Sequence, residues 1–549
     1  MQRPPRGSSR ATPAGAAAGL QPQGTAMTAV SAAEQLQPGN GLPAAGSGLR
    51  PEPDEGVDVL AVAVAAAPQT SLREDSEEAL HPTPQPRRGA VETALWYEVD
   101  VAARAAAAGV TGKAGESLLV GPPAGKAGQL PAKLIFLGVG DESVLSLRRA
   151  GAALARATRG AQRIRTAVVD GLDAEAQQAF VEGFLLGGYR APREGKTPAG
   201  PPMAREMEVT GLDPEALKVA AITARAVWLA RDLTNLPPDR ATPEWMAAQS
   251  TAVAARAGLE VSVLDGDELR RQGFGGLLAV GSGSAHPPRL VQLSYRPESG
   301  EGEHVVLAGK GITFDSGGIS LKPRDAMMAM KMDMAGAAVV LAAVEAAAAL
   351  KLPHRVTAVL ALAENAIGAS AYRPGDVVRT YNGRTVEIGN TDAEGRMVLA
   401  DALAYAAAEL APDVLVDVAT LTGAAALGLG QQYGALFGNS PQLNAALEKA
   451  GSVSGDPVWQ LPLVHEYDFA LDSATADLAH VAPPALKFGA GAIVAALFLE
   501  KFVDGRAWAH LDIAGPMRAG SDTHEVSKGA TGFGTRLLIS YLRDLPQAG

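Results

Sequence analysis

The sequence predicts an α/β protein: a small N-terminal α/β domain followed by a larger C-terminal α/β domain with a mainly parallel mixed sheet flanked by helices. Three observations carry this. The 549 residues exceed what one hydrophobic core usually serves. Strand-like apolar runs alternate with helix-like stretches, the pattern of βαβ units. Between the two regions Asp213-Pro214 opens one long helical pattern that stops at Asn235-Leu236-Pro237-Pro238.

In chain order, residues 1–56 are rich in Pro, Gly, Ala, Ser and Gln and poor in aliphatics. Such a segment buries too little surface to offset its ordering entropy, so a disordered low-complexity extension is expected. It lacks the charged start and apolar run of a secretory signal. Its Arg3, Arg6, Ser8, Ser9 and Arg10, with no acid before Glu34, share the composition of transit peptides, and Met27 offers a second start. The N-terminal α/β domain is placed at 57–212, with strands at 57–64, 133–137 and 165–169 and helices at 144–158 and 174–186. Gly138-Val139-Gly140 lacks the third glycine of a dinucleotide fingerprint and reads as a plain strand-to-helix turn.

A Pro- and Gly-rich loop is expected at 191–202. The connecting helix spans 213–236, with Asp213 as its N-cap and Pro214 at the first helical position. The C-terminal domain, 237–549, has strand candidates at 260–263, 304–307, 355–362, 414–418 and 507–513. In such a sheet ligands sit outside the carboxyl ends of the strands.

Composition narrows the function. A net charge of −11 argues against a generic nucleic-acid binder, which needs a basic face. The absence of cysteine removes disulfides, thiolate metal sites and cysteine nucleophiles, and points to a reducing, cytoplasmic setting. The most apolar stretch, 335–352, is interrupted by Glu345 and Lys351 and reads as a buried helix rather than a membrane span.

Three segments carry chemistry. In the first, Gly309 to Lys322, glycines permit tight turns and would crowd Lys310, Asp315 and Lys322 together. In the second, Lys331-Met332-Asp333-Met334, Asp333 taken alone reads first as a helix cap or dipole partner. The third is Asn390-Thr391-Asp392-Ala393-Glu394-Gly395-Arg396. If it is extended, Asp392 and Glu394 point to one side and repel unless a cation sits between them; otherwise they form an acidic first helical turn. Together Asp315, Asp333, Asp392 and Glu394 offer enough oxygen for two divalent ions. None of the eight histidines lies in these segments, so the ligand set is hard, suiting Mg²⁺ or Mn²⁺ and accommodating Zn²⁺. Asp315-Ser316-Gly317-Gly318 also looks like a serine-protease signature, but the histidine context of that family is missing and Ser316 reads as a turn residue.

With these elements in place the chain resembles the cytosolic leucyl aminopeptidases, the M17-type metallopeptidases. The resemblance spans residues 57–543 and is densest over 305–403. Supporting matches are Thr234 to Arg240, Tyr372-Arg373-Pro374-Gly375-Asp376, Ala419-Thr420-Leu421-Thr422-Gly423 and Trp508 to Gly515. It implies a macro-domain-like first domain, a homohexamer of stacked trimers, and removal of Leu and other apolar residues from peptides with a free N-terminus. By the same resemblance Asp315, Asp392 and Glu394 would bind one metal ion and Lys310, Asp315, Asp333 and Glu394 the other, as Mn²⁺ or Zn²⁺. A hydroxide bridging the two ions would attack, Lys322 would stabilise the oxyanion, and Arg396 would anchor a bicarbonate that relays protons. Met330, Thr420, Gly423, Ala514 and Met517 would line the pocket for the N-terminal side chain. The competing reading is a non-catalytic, DNA-binding or regulatory member of the same family.

Overall fold

A computed structural model describes residues 36–38, 56–66, 84–191, 196, 200–298 and 302–546. Most of the expected extension at 1–56 and part of the expected loop at 191–202 lie outside the described residues. Within the first of these, Leu36–Pro38 is a three-residue strand pairing in parallel with Glu206–Val209.

The first sheet runs in the order Leu36–Pro38, Glu206–Val209, Arg163–Thr166, Val59–Ala65, Lys133–Gly140, Ser117–Val120, with Gln85–Pro86 beside Val59–Ala65. Val59–Ala65 is buried at every position, as a strand covered on both faces must be. Val59, Ala61 and Ala63 face a core with Leu147, Phe180 and Phe184 from helices Val144–Ala157 and Ala174–Gly188. Leu60, Val62 and Val64 face a smaller one with Ala90 and Tyr97. The strand expected at 165–169 instead spans Arg163–Thr166. Thr166 Oγ1 bonds to Ala61 O and accepts from Val168 N, which turns the chain so that Val168 and Val169 are buried beyond the strand.

Helix Pro214–Asn235 starts where Asp213 accepts from Glu215 N and Ala216 N. It contributes Ala220, Ala224 and Val227 to the first core and Ile222, Ala226 and Leu233 to the second, so it belongs to both.

The second sheet has the order Val458–Gln460, Gly434–Gly438, Ala507–Asp512, Val414–Ala419, His304–Asp315, Arg355–Asn365, Arg289–Tyr295, Glu260–Leu264. Its four central strands are parallel and the joins on either side of them are antiparallel, giving a mixed sheet with helices on both faces. On one face Val305 and Leu307 meet helix Ala335–Ala349; on the other Val306, Ala308 and Ile312 meet helix Glu394–Tyr405. The first contact is close. A Cβ on Gly309 would stand 2.6 Å from Ala337 Cα, and one on Gly336 would stand 2.0 Å from Val418 O. By length and composition Arg324–Ala349 is apolar enough to cross a membrane, but 83% of its apolar window is buried in this core.

Candidate active site

Strand His304–Asp315 supplies both Lys310 and Asp315, which stand an odd number of positions apart. In a regular strand they would face opposite sides of the sheet. The pairing with Arg355–Asn365 slips between Ile312 and Phe314, leaving Thr313 as a bulged residue. Beyond the bulge Asp315 pairs with Asn365 and is returned to the side of helix Glu394–Tyr405, where Lys310 already points. Asn365 Nδ2 then donates to Asp315 Oδ1 at 2.8 Å and to Thr391 O at 2.9 Å, tying the strand end to the Asn390–Arg396 segment.

That segment is not extended. Asn390 closes a turn by accepting from Asp392 N and Ala393 N, and Glu394 is the first residue of its helix. Of the two geometries that the sequence left open, the chain takes the turn running into a helix, with Glu394 in its first turn. One oxygen each from Asp315, Asp392 and Glu394 still falls within 4.8 Å of the others. Gly395 makes this possible, since a Cβ there would meet Lys310 Cε at 2.5 Å.

Asp333 is not the N-cap of the helix that follows: Met334 is the N-cap of Ala335–Ala349 and no side chain bonds there, while Asp333 ends the short turn Met330–Met332. Its carboxylate accepts from Thr420 Oγ1 at 2.6 Å and Lys310 Nζ at 2.9 Å. Lys310 Nζ also lies 2.8 Å from Glu394 Oε1 and donates to Thr420 O at 2.8 Å. The ammonium beside Asp315 is that of Lys322, 2.8 Å from Asp315 Oδ2 and 2.6 Å from Asp392 Oδ1.

Four carboxylates and two ammonium groups thus share one mostly buried space, with an excess of negative charge when all are ionised. Burial raises the acids. Asp315 is pushed up to about 7 by burial and by Glu394, against the pull of Lys322 and Lys310, and Asp333 and Asp392 are raised too. Burial alone would lower Lys310, but Asp333, Glu394 and Asp315 outweigh it and hold its ammonium above the ordinary lysine value. Glu394 Oε2 is buried without a hydrogen-bond partner. An unpartnered buried oxygen beside two further carboxylates is a donor set that fits a hard divalent cation.

Arg396 is buried and pairs with neither Asp392 nor Glu394. Its Nη1 donates to His480 O and its Nε has no partner; burial pulls its pKa down to about 10, against Glu394 and Asp512. A guanidinium left this way fits a small planar anion. His480 also donates from Nε2 to Asn390 O at 2.9 Å, and burial lowers it to about 4, which keeps it neutral.

Of the expected pocket residues, Thr420 touches the cluster directly. Ala514 N bonds to Asp512, which also accepts from Leu421 N, Thr422 N and Thr422 Oγ1. Gly423 opens the next short helix, Gly423–Leu429. Met330 begins the turn before Asp333, and Met517 is buried beyond Ile513. Sequence reasoning missed Asn365, His480 and the clamping role of Asp512. Asn365 had one signal, a polar end to an apolar strand; His480 had none.

The profile of the "Cytosol aminopeptidase family, catalytic domain" matches residues 228–539, and that of the family's N-terminal domain matches 99–193. A "Probable cytosol aminopeptidase" of Roseiflexus castenholzii is 44% identical over 457 residues, covering 80% of this chain and 92% of its own. One of the same description from Chlorobium limicola is 42% identical over 458 residues, covering 78% and 89%. Among solved structures, "Bottromycin maturation enzyme BotP in complex with Mn" superposes with a TM-score of 0.76 at 37% identity, covering 89% of this chain and 99% of that one.

Proposed function

The chain belongs to the cytosol aminopeptidase family, metal-dependent peptidases, and from that premise we propose that it releases N-terminal Leu and other apolar residues from peptides through a dinuclear site. The observation that carries the reading is the buried cluster of Asp315, Asp333, Asp392 and Glu394 interleaved with Lys310 and Lys322 at the carboxyl ends of parallel strands. Asp315, Asp392 and Glu394 would hold one ion and Lys310, Asp315, Asp333 and Glu394 the other, with Lys310, an ammonium while only carboxylates surround it, losing its proton to become the neutral amine under the charge of the cation. When bound, the two divalent ions, Mn²⁺ or Zn²⁺, supply Lewis acidity and lower the pKa of water enough for attack on a peptide carbonyl near neutral pH.

The chain's own residues do the rest. Lys322 offers positive charge to the developing oxyanion. Arg396 would hold a bicarbonate, a reading its unpartnered Nε supports, and that anion when bound would supply general-base chemistry. Thr420 fixes Asp333 and Lys310 at the mouth of a side-chain pocket made with Met330, Gly423, Ala514 and Met517, whose apolar walls favour Leu or Met. The relatives' printed name supports a cytosolic setting, and family resemblance supports a homohexamer. Hydrolysis of leucine p-nitroanilide and Leu-Gly should vanish on chelation and return with Mn²⁺ or Zn²⁺. A folded, metal-loaded protein that turns over no member of a broad free-amine peptide panel would overturn the proposal.

A further inference from the structure

Away from the carboxylate cluster a cavity of about 480 Å³ is lined by Gly115, Ser117, Arg149, Arg156 and His524. Arg149 and Arg156 lie on one face of helix Val144–Ala157, two turns and about 10 Å of rise apart. His524 reaches them from the far end of the chain. Its segment leaves the second core at Met517, pairs Arg518–Ala519 with Gly529–Ala530, and returns at Thr531, whose N donates to Met517 O. The tip is a two-residue turn closed by reciprocal bonds between Thr523 and Val526 at 2.9 Å, with His524 at a φ of 49°. Glu525 turns the other way and is buried, its carboxylate 3.6 Å from Arg536 and its carbonyl held by Arg231.

The two arginines, Arg149 and Arg156, lack contact ion pairs among the described residues. Arg156 Nη2 donates only to Val526 O at 3.2 Å, and its Nε is buried without a partner. Asp522 and, more weakly, Glu525 attract Arg156 through space without reaching ion-pair distance, Asp522 also accepting from Lys528 N and Glu525 facing Arg536, while Glu116 accepts from Thr111 N and Gly112 N. Burial and the two arginines hold His524 below its ordinary value, which leaves it a neutral hydrogen-bond partner beside them.

We propose that this groove binds the phosphate group of a small molecule, a dianion matched by the Arg149 and Arg156 guanidinium groups with Ser117 and His524 completing its hydrogen bonds, and that its occupation braces the hairpin whose base is Met517. Two guanidinium groups supply the planar, charge-assisted donors that phosphate oxygens take best. Binding stands independently of the peptidase reading; only the meaning of Met517 rests on it.

The test is hydrogen exchange on the full-length, metal-loaded protein with inorganic phosphate against chloride at equal ionic strength. Exchange should slow several-fold in 111–118 and 519–526. The effect should be lost in Arg149→Gln/Arg156→Gln, with phosphate-free turnover of leucine p-nitroanilide unchanged. Arg149→Gln alone, which breaks no hydrogen bond, should weaken phosphate binding by about tenfold and serves if the double variant misfolds. Tighter binding of ribose 5-phosphate than of inorganic phosphate assigns the groove to phosphate esters, and the reverse order to the free anion. Protection confined to 390–396, groove protection that survives in the variants, or none in the wild type would each sink the proposal.

Discussion

Glu394 sits 2.8 Å from Lys310 through one carboxylate oxygen and keeps the other buried and unpartnered, and that asymmetry separates binding from chemistry. Glu394→Gln is expected to lose bound metal, measured by elemental analysis after desalting, together with its activity. Lys322→Ala should retain metal and lose mainly kcat, by about 10²–10³-fold, the usual cost of removing one oxyanion partner. A Lys322 variant that lost its metal instead would make the lysine a structural counter-ion. At this scale the charged residues were legible, because clustered acids and lysines in Gly-rich segments are conspicuous. Asn365 was not, since its bond to Asp315 depends on the register of two strands.

At the scale of elements, the alternation of strands and helices was readable while strand ends were not. The strand expected at 304–307 runs on to Asp315, because Gly309 and Gly311, which read as turn formers, are there to let helix Ala335–Ala349 approach. Arg289–Tyr295 and Gly434–Gly438 escaped notice, the latter a short run with glycine at both ends. The end of strand Ala507–Asp512 acts on its neighbour. Asp512 accepts from Leu421 N, Thr422 N, Thr422 Oγ1 and Ala514 N, and so fixes the loop that carries Thr420. Asp512→Ala leaves these donors buried and should cost about 2–4 kcal/mol in urea unfolding. Its KM should also rise as Thr420 loosens from Asp333; an unchanged KM would mean that the clamp serves stability alone.

Across the whole molecule the first sheet's helices meet the second core through a buried charged cluster. Arg148 and Glu182 lie 3.4 Å apart beside Arg536, which pairs with Asp456 at 2.5 Å and Glu525 at 3.6 Å, while Arg231 donates to Thr531 O and Glu525 O. Nothing in the sequence links residues so far apart, and none of them featured in its reading. Arg536→Ala strands two buried carboxylates and should destabilise the fold by about 3–5 kcal/mol in denaturant titration. A loss below 1 kcal/mol would mean that water or rearrangement takes over the role of the arginine.

The slipped register at Thr313 makes this centre depend on counting. Thr313 is the surplus residue of the stretch: its deletion would leave Lys310 and Asp315 four positions apart in a regular strand, both still toward helix Glu394–Tyr405, with Asp315 still opposite Asn365. A five-position spacing needs the bulge, and a four-position spacing needs its absence. Chain length here and the bulge should therefore change together, so that a stretch one residue shorter keeps its acid in place on a straight strand.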